Sequence, residues 1–297
     1  MYNEERKQEF IKFKSSTTEM SKTVFSWFMY AENLERQYGK DVCDFTSQEA
    51  ITLIKYIGSS KISTSTVLVN TMRIYTDWCL SNSLVADNQN HWYEISTDVL
   101  YDCIDYKKLI SQYLTKQELD NYTCQMINEA DKFIFLSLFE GLNKKEIATL
   151  KYQDVNGSVL TLPKRDLLIS DELQQIIANT YAEIEWKSYI GKDMSLEVGD
   201  EILRPVQGRA SMLGSESLVV TRFMSIEKGL GIYKRYSSGD IRESGRFEMI
   251  KGIMKENNVS MMDAIGTPYR EQIERRYGKI QNYTAYAEIH TRIIKGG

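Results

Sequence analysis

Apolar residues recur at helical spacing through most of the chain. One face of a helix over residues 63–81 carries Leu68, Met72, Tyr75 and Cys79. This spacing follows the 3.6-residue period of an amphipathic helix. Residues 128–140 are apolar on nearly every face, which indicates a helix buried on all sides. The pattern therefore predicts a mainly helical protein.

One short stretch departs from this helical pattern. Residues 154–162 read DVNGSVLTL, in which Asn156-Gly157 separates two runs of β-prone residues. An Asn-Gly pair in that setting predicts a two-residue hairpin turn. A second turn at residues 163–166 and a third strand at 167–170 follow. We therefore expect an α+β fold, mainly α with a small antiparallel β-sheet.

The chain is long enough for two domains, with 297 residues. Polar residues dominate the stretch after residue 82, where the helical pattern is interrupted. We place a domain boundary in this region. The prediction is a helical domain over residues 1–95, a linker over 96–110 and a second domain over 111–297.

Composition and cysteine usage exclude several classes of protein. The four cysteines are scattered without a CxxC pair, which favours reduced thiols in the cytoplasm over disulfides or a zinc site. The chain has two histidines, His91 and His290, both expected at the surface, and no GxGxxG, GxxxxGK[ST] or HExxH motif. These observations lead us to expect no metal and no cofactor. We also expect no membrane partner, because no secretory or membrane-spanning segment is apparent.

Charge is distributed unevenly along the chain. The net charge is −4, yet the part from Arg204 to the end carries +6 and the preceding part carries −10. A cationic region on an acidic protein indicates one face that could meet a polyanion.

Three motifs, in order along the chain, resemble those of the tyrosine recombinases, the phage integrase family. The first is GLNKKEIATL at residues 141–150, followed by Asp154-Val155. The second is SGDIRESG at residues 238–245, and the third runs from Tyr277-Gly278-Lys279 to Tyr286. The resemblance implies a two-domain architecture in which the helix at residues 62–81 belongs to a core-binding domain that contacts the duplex.

The resemblance also implies a chemistry. These recombinases cleave DNA by attack of a tyrosine hydroxyl on a phosphodiester, assisted by arginine, lysine and histidine side chains without a metal. The positions that match the family's catalytic set are Asn143, Lys164, Gly239, Arg242, Lys279 and Tyr286, with Tyr283 as the less favoured nucleophile. Asn143 thus stands where the family has an arginine, and Gly239 where it has a histidine. Loss of one charged donor at a transition state costs about 3–4 kcal/mol.

The expected function is sequence-specific binding of double-stranded DNA without cleavage. The resemblance implies a transcriptional regulator of phage or prophage origin, a repressor that maintains lysogeny, acting in the bacterial cytoplasm at the nucleoid. We expect DNA contacts from basic and polar side chains. The candidates are Arg242, Lys164, Arg165, Lys144, Lys145, Arg246, Arg275, Arg276, Lys279, Arg73, Asn70 and Thr64, with Ser65 a lesser one.

Two other functions remain open from the sequence. One is an active but divergent recombinase that uses Tyr286 and takes its missing groups from residues such as Arg235 or Arg246. The other is a protein-interaction module that has lost DNA binding. The sequence also leaves open a homodimer formed through the segment 287–297 and control by a regulatory protein or peptide.

Overall fold

The computed structural model of the protein describes residues 1–14, 18–189, 191–232 and 236–295. The candidate Arg235 lies outside these ranges. The chain folds into two compact units, Met1–Ile110 and Ser111–Gly297. Across the described ranges, no helix has both the length and the apolar character that crossing a membrane requires.

Unit 1 is helical and is built around an aromatic core. The rings of Phe10, Phe28 and Tyr75 pack edge to face, with centroids 4.8–6.1 Å apart. The predicted apolar face of residues 63–81 is buried in this core, as expected. The helices are α1 (Glu4–Lys14), α2 (Thr18–Tyr38), α3 (Ser47–Ile57), α4 (Ile62–Ser81), α5 (Thr97–Asp102) and α6 (Tyr106–Ser111).

The predicted linker at residues 96–110 is instead helical and packs as part of unit 1. Ser96 caps α5, and Leu100 and Cys103 lie in the core of the unit, each 4% exposed. The polar stretch that suggests a boundary is a surface loop, since the chain returns to the core at Trp92. The indole of Trp92 is fully buried and donates a hydrogen bond to the carbonyl of Val42.

Unit 2 is built around α8, which is buried on all sides as its sequence predicts. The side chains from Phe133 to Leu138 are at most 1% exposed. Helices α7, α9, α10, α11 and α12 pack against it. The helices of unit 2 are α7 (Lys116–Gln125), α8 (Glu129–Phe139), α9 (Lys144–Thr149), α10 (Asp171–Ala182), α11 (Glu216–Gly229), α12 (Ser238–Asn257), α13 (Met261–Ala264), α14 (Arg270–Tyr277) and α15 (Tyr283–Ile294).

An antiparallel sheet of order β1-β2-β3 follows α9. Its strands are β1 (Val155–Asn156), β2 (Val159–Leu162) and β3 (Arg165–Leu168). The predicted third strand at 167–170 thus begins two residues earlier, because buried Leu160 pairs with buried Leu167 and this register places Arg165 opposite Leu162. A second antiparallel pair is formed by β4 (Glu185–Trp186) and β5 (Met194–Ser195). The expected mainly α fold with small antiparallel sheets is confirmed.

Helices α8 and α12 approach each other closely at Gly245. A Cβ added at Gly245 would lie 1.7 Å from the carbonyl oxygen of Phe139. Gly252, two turns further along the same helix, has nothing within 4 Å of such a Cβ. The two glycines of α12 therefore have different structural roles.

We expect Gly245→Ala to lower the free energy of unfolding by about 3 kcal/mol, since the helices must separate to admit the methyl group. Gly252→Ala is the matched control. It should raise stability by about 0.5–1 kcal/mol, because alanine favours a helix interior over glycine. Urea unfolding of the full chain measures both changes. Equal midpoints for Gly245→Ala and the wild type would contradict the close packing.

Candidate nucleic-acid interface

The C-terminal end of α8 organises the candidate site. The last carbonyls of a helix have no partner within the helix and need donors from elsewhere. In unit 2, four side chains from β3, α12 and α14 donate to the carbonyl of Phe139, the last residue of α8, and to the carbonyls of the next two residues, Glu140 and Gly141. The bonds are Tyr277 Oη to Phe139 O (2.8 Å), Arg276 Nε to Glu140 O (2.9 Å), and Arg165 Nη2 and Arg242 Nε to Gly141 O (2.9 Å each).

Gly141 lets these elements meet. Its φ of +104° is unfavourable for residues with a Cβ, and an added Cβ would lie 2.5 Å from the carbonyl oxygen of Arg276. The glycine of the first motif therefore has a packing role at the α8–α14 contact.

Four arginines meet here, and we call them the arginine cluster: Arg165, Arg242, Arg246 and Arg276. Three of them have a carboxylate partner. The pairs are Arg165 with Glu146 (2.8 Å), Arg246 with Glu243 (3.1 Å) and Arg276 with Glu140 (2.8 Å). Arg165 and Arg246 also donate to backbone carbonyls, Arg165 to those of Arg275 (2.5 Å) and Arg276, and Arg246 to that of Tyr277 (2.6 Å). These contacts hold the elements of unit 2 together.

Arg242 differs from the other three. It is half-buried, and its Nε is fixed by Gly141, but no described residue accepts a hydrogen bond from its two terminal nitrogens. Burial, followed by repulsion from Arg246 and Arg165, lowers the pKa of Arg242 below its ordinary value. A guanidinium in this state offers a fixed pair of donors and a charge that an oxyanion would balance.

Asn143 and Gly239 stand where the family motif has an arginine and a histidine. The side-chain oxygen of Asn143 accepts from the backbone N–H of Glu146 (2.9 Å), and Glu146 accepts in turn from the N–H of Asn143 (2.8 Å). This capping box begins α9. Gly239 lies exposed in the first turn of α12, and the one described atom within 4 Å of an added Cβ there is Ser237 Oγ, at 3.6 Å. The site has room for a side chain at 239.

Several other candidate cations reach solvent. Lys164 is exposed on the turn between β2 and β3, and Lys279 is exposed after α14. Lys145 is exposed and Lys144 half-buried at the start of α9, where Lys144 Nζ lies 3.9 Å from Glu216. The remaining candidate of this group, Arg275, is exposed and pairs with Glu271 at 2.5 Å.

The two candidate nucleophiles lie in α15. The hydroxyl oxygen of Tyr286 is buried, and its ring stacks on His290 with centroids 3.8 Å apart. Burial, and next the carboxylate of Glu243, raise the pKa of Tyr286 well above its ordinary value. The hydroxyl of Tyr283 donates to Glu274. A buried, weakly acidic phenol is poorly placed to attack a phosphodiester.

The expectation that both histidines lie at the surface is wrong for His290. That residue is 4% exposed and packs with Tyr113, whose hydroxyl lies 2.5 Å from Nε2. The period of α15 places this face inward, together with Ala287. His91 is half-buried in unit 1, between the carboxylates of Asp87 and Glu94 at 2.7 Å each.

Some of the unit 1 candidates on α4 reach solvent, and others are buried or form hydrogen bonds within the unit. Asn70 is exposed and Thr64 half-buried, but Ser65 is 3% exposed because it faces the core. Arg73 donates to the carbonyls of Trp92 (3.1 Å) and Ile95 (2.8 Å). Arg73 therefore holds the 92–95 segment against α4. Ser65, a lesser candidate for DNA contact, is not accessible in this structure.

The described residues contain no group of three or more histidine, cysteine, aspartate or glutamate side chains that could hold a metal ion.

Two domain profiles of one family match the chain. They are described as the MrpR N-terminal core-binding domain, over residues 1–81, and the MrpR C-terminal catalytic domain, over residues 113–294. These descriptions confirm the recombinase-like architecture expected from the motifs.

A relative in Bacillus subtilis (strain 168) is described as the SPbeta prophage-derived uncharacterized protein YopR. It is 31% identical to this chain over 205 residues, which span 65% of this chain and 62% of the relative. Among solved structures, a dimer of lambda integrase (75-356) bound to a COC' core site is 13% identical with a TM-score of 0.43, covering 94% of this chain and 96% of that one. A XerA recombinase is 14% identical with a TM-score of 0.41, covering 97% and 93% respectively.

The pKa shifts of His290 and His91 have opposite directions, so we expect the two residues to change the stability of the fold in opposite directions on acidification. Burial, and then repulsion by Arg246, lower the pKa of His290 to about 4. Below pH ~6.5 the imidazole of His290 is therefore protonated in the unfolded chain but remains neutral in the folded chain until about pH 4. At pH 5 this difference lowers the free energy of unfolding by about 2 kcal/mol. Replacing His290 with glutamine should remove this loss between pH 7.5 and pH 5.

His91 serves as the matched control for this measurement. Hydrogen bonds from its ring to Glu94 and Asp87 raise the pKa of His91, so protonation favours the folded state. His91→Gln should therefore make the loss of stability on acidification larger. Urea unfolding of each variant at the two pH values measures both changes. A wild type and a His290→Gln variant with the same pH dependence would show that His290 is not a buried neutral histidine.

Proposed function

Because the chain belongs to the MrpR family, with its core-binding and catalytic domains, we propose that it binds double-stranded DNA sequence-specifically without cleaving it. In this proposal it regulates transcription, as a repressor that maintains lysogeny of a prophage. The 31% identity with a protein of the SPbeta prophage supports a prophage origin. The role is that of the integrase-like master repressor of SPbeta-type Bacillus phages, which the sequence resembles.

One observation carries the DNA-binding part of the proposal: the free guanidinium edge of Arg242. Its neighbours in the arginine cluster are each paired with a carboxylate, whereas the described residues accept a hydrogen bond from Arg242 only at Nε. A backbone phosphate can accept two parallel hydrogen bonds from such an edge. Exposed Lys164 and Lys279, in the same unit, would add salt-dependent affinity through counterion release.

The absence of cleavage is proposed from three residues. Asn143 brings no positive charge, and its amide oxygen is engaged in the capping box of α9. Gly239 provides no group for proton transfer. The hydroxyl of Tyr286 is buried, and the pKa of that phenol is raised. Each loss reduces the rate of strand cleavage by roughly 10² or more, although such losses are not strictly additive.

The alternative of a divergent active recombinase would need other groups to replace those that are missing. Arg246, one candidate for that role, donates to the carbonyl of Tyr277 and pairs with Glu243. Dimerisation by exchange of the C-terminal segment would require α15 to leave its contacts with α13. The contacts of Arg246 favour a DNA-binding protein that does not cleave, whereas the contacts of α15 bear only on the homodimer.

A gel shift against fragments of the source genome tests the function directly. Binding is measured at about 150 mM salt with excess competitor DNA, and each sample is divided so that half is loaded in SDS. We expect a specific shift that disappears in SDS. A band that survives SDS and is lost in Tyr286→Phe would establish a covalent adduct and overturn the non-cleaving assignment. No shift of any fragment would favour a protein-interaction module.

We expect Arg242→Met to weaken operator binding by roughly tenfold or more, since a charge-assisted contact to phosphate is lost. The slope of log affinity against log salt should fall by about one phosphate contact. Lys255→Met is the matched control, because Lys255 is exposed on the same helix about 20 Å from Arg242. Equal DNA affinities for the two variants would show that Arg242 does not contact the DNA.

A further inference from the structure

Unit 2 contains a cavity that the DNA-binding proposal does not use. It has a volume of about 300 Å³ and lies among β4, β5, α11 and the segment that precedes α11. Its size is at the lower end of the range for small-molecule pockets. Most of its wall is apolar, formed by Trp186, Met194, Pro205, Val206, Met212 and Leu218.

A buried arginine completes the wall of this cavity. Arg222 is 4% exposed, and its guanidinium lies 4.5 Å from the ring centre of Trp186. One terminal nitrogen, Nη1, is buried and has no hydrogen-bond partner within the described part of the chain. The other, Nη2, has a long contact of 3.4 Å to the carbonyl of Arg204. A buried charged donor without a partner is costly and calls for a ligand group that can accept.

Positive charge at this cavity comes from Arg222 and Arg209, although the carboxylates of Asp131 and Glu183 act on Arg222 from behind the cavity wall. Burial lowers the pKa of Arg222 to about 10, while Asp131 and Glu183 partly oppose this, so the guanidinium stays charged at neutral pH. Arg209 is exposed at the same cavity, and its charge adds to that of Arg222. The described residues that line the cavity include no aspartate or glutamate.

We propose that this cavity binds a small organic carboxylate with a compact apolar body. The carboxylate would accept from Nη1 of Arg222, and the apolar body would fill the space between Trp186, Met212 and Leu218. A phosphodiester backbone does not fit this description, because the walls are apolar and the charged donor lies in the interior. The proposal is independent of DNA binding and stands or falls on ligand binding alone.

The test compares hydrocinnamate with its neutral isostere, hydrocinnamyl alcohol, on the full chain. Trp186 is the one tryptophan of unit 2, since the other three lie at positions 27, 78 and 92. A change in the protein's tryptophan fluorescence on addition of ligand, above the constant emission of those three, is expected from Trp186, and calorimetry provides the affinity. We expect the acid to bind with a Kd in the millimolar range or tighter, and the alcohol to bind roughly tenfold or more weakly.

Two variants separate the cavity from general anion binding. Arg222→Met keeps the length of the side chain and should weaken hydrocinnamate by roughly tenfold or more without affecting the alcohol. Arg209→Met, at an exposed position, should fold normally and weaken the acid by a few fold. Arg275→Met, at an exposed arginine away from the cavity, is the control and should leave binding unchanged.

Three outcomes would overturn the proposal. One is no binding of the acid at millimolar concentration, which would indicate that water satisfies Nη1. Another is equal binding of acid and alcohol, and the last is unchanged binding of the acid by Arg222→Met. If Arg222→Met fails to fold, the comparison of acid with alcohol and the Arg209→Met variant decide the question.

Discussion

The carbonyl groups that end α8 are the constraint on which unit 2 depends. A helix this deeply buried cannot leave its last carbonyls to water, so other parts of the chain must provide donors. Phe139, Glu140 and Gly141 receive them from β3, α12 and α14. The close approach that this requires explains Gly141 and Gly245, where a Cβ would collide with backbone. A single helix end thus fixes the relative positions of three elements that are distant in sequence.

This constraint also gives the arginines of unit 2 two different tasks. Arg165 and Arg276 direct their donors to carbonyls and carboxylates inside the unit, and Arg246 does the same nearby. Their charges are matched, so they add little field beyond the cluster. Arg242 uses one nitrogen for the structure and keeps a charged edge. The same framework therefore both stabilises the fold and presents the terminal nitrogens of Arg242.

The sequence predicts local features more successfully than tertiary ones. The burial of α8 follows from its apolar residues, and the hairpin follows from β-prone residues around Gly157, although the turn loop is Gly157-Ser158. The register that makes Arg165 a strand residue depends on the pairing of Leu160 with Leu167. Without that pairing, Arg165 is indistinguishable from its solvent-exposed neighbour Lys164. Helices α5 and α6 are not predicted, because the polar loop before them resembles a linker in sequence. Only the burial of Trp92 shows that the chain returns to the core of unit 1.

Charged groups in the interior are the least predictable part of the molecule. Lys7 of α1 and Glu35 of α2 form a fully buried pair in unit 1, with Nζ 2.5 Å from Oε2. Arg222 of α11 is likewise buried, and no motif of the sequence singles it out. The pattern of polar and apolar residues carries no information about which charges find partners across the fold. That information arises only from long-range packing, which is also why the sequence alone presents Arg73 as an exposed cation.

The two departures from the recombinase motif are unequal in reversibility. At residue 239 an added Cβ would have only ordinary van der Waals contact with the described residues, so the backbone there accepts a side chain. An arginine at residue 143 would remove the side-chain cap of α9, which lowers stability by about 1 kcal/mol. It would also place a second guanidinium near Arg165, which already donates to Gly141 and Glu146. Restoring an arginine at residue 143 would therefore lower stability, whereas the backbone at residue 239 accepts a side chain without such a cost. Of the two departures, the one at residue 143 is the harder to reverse.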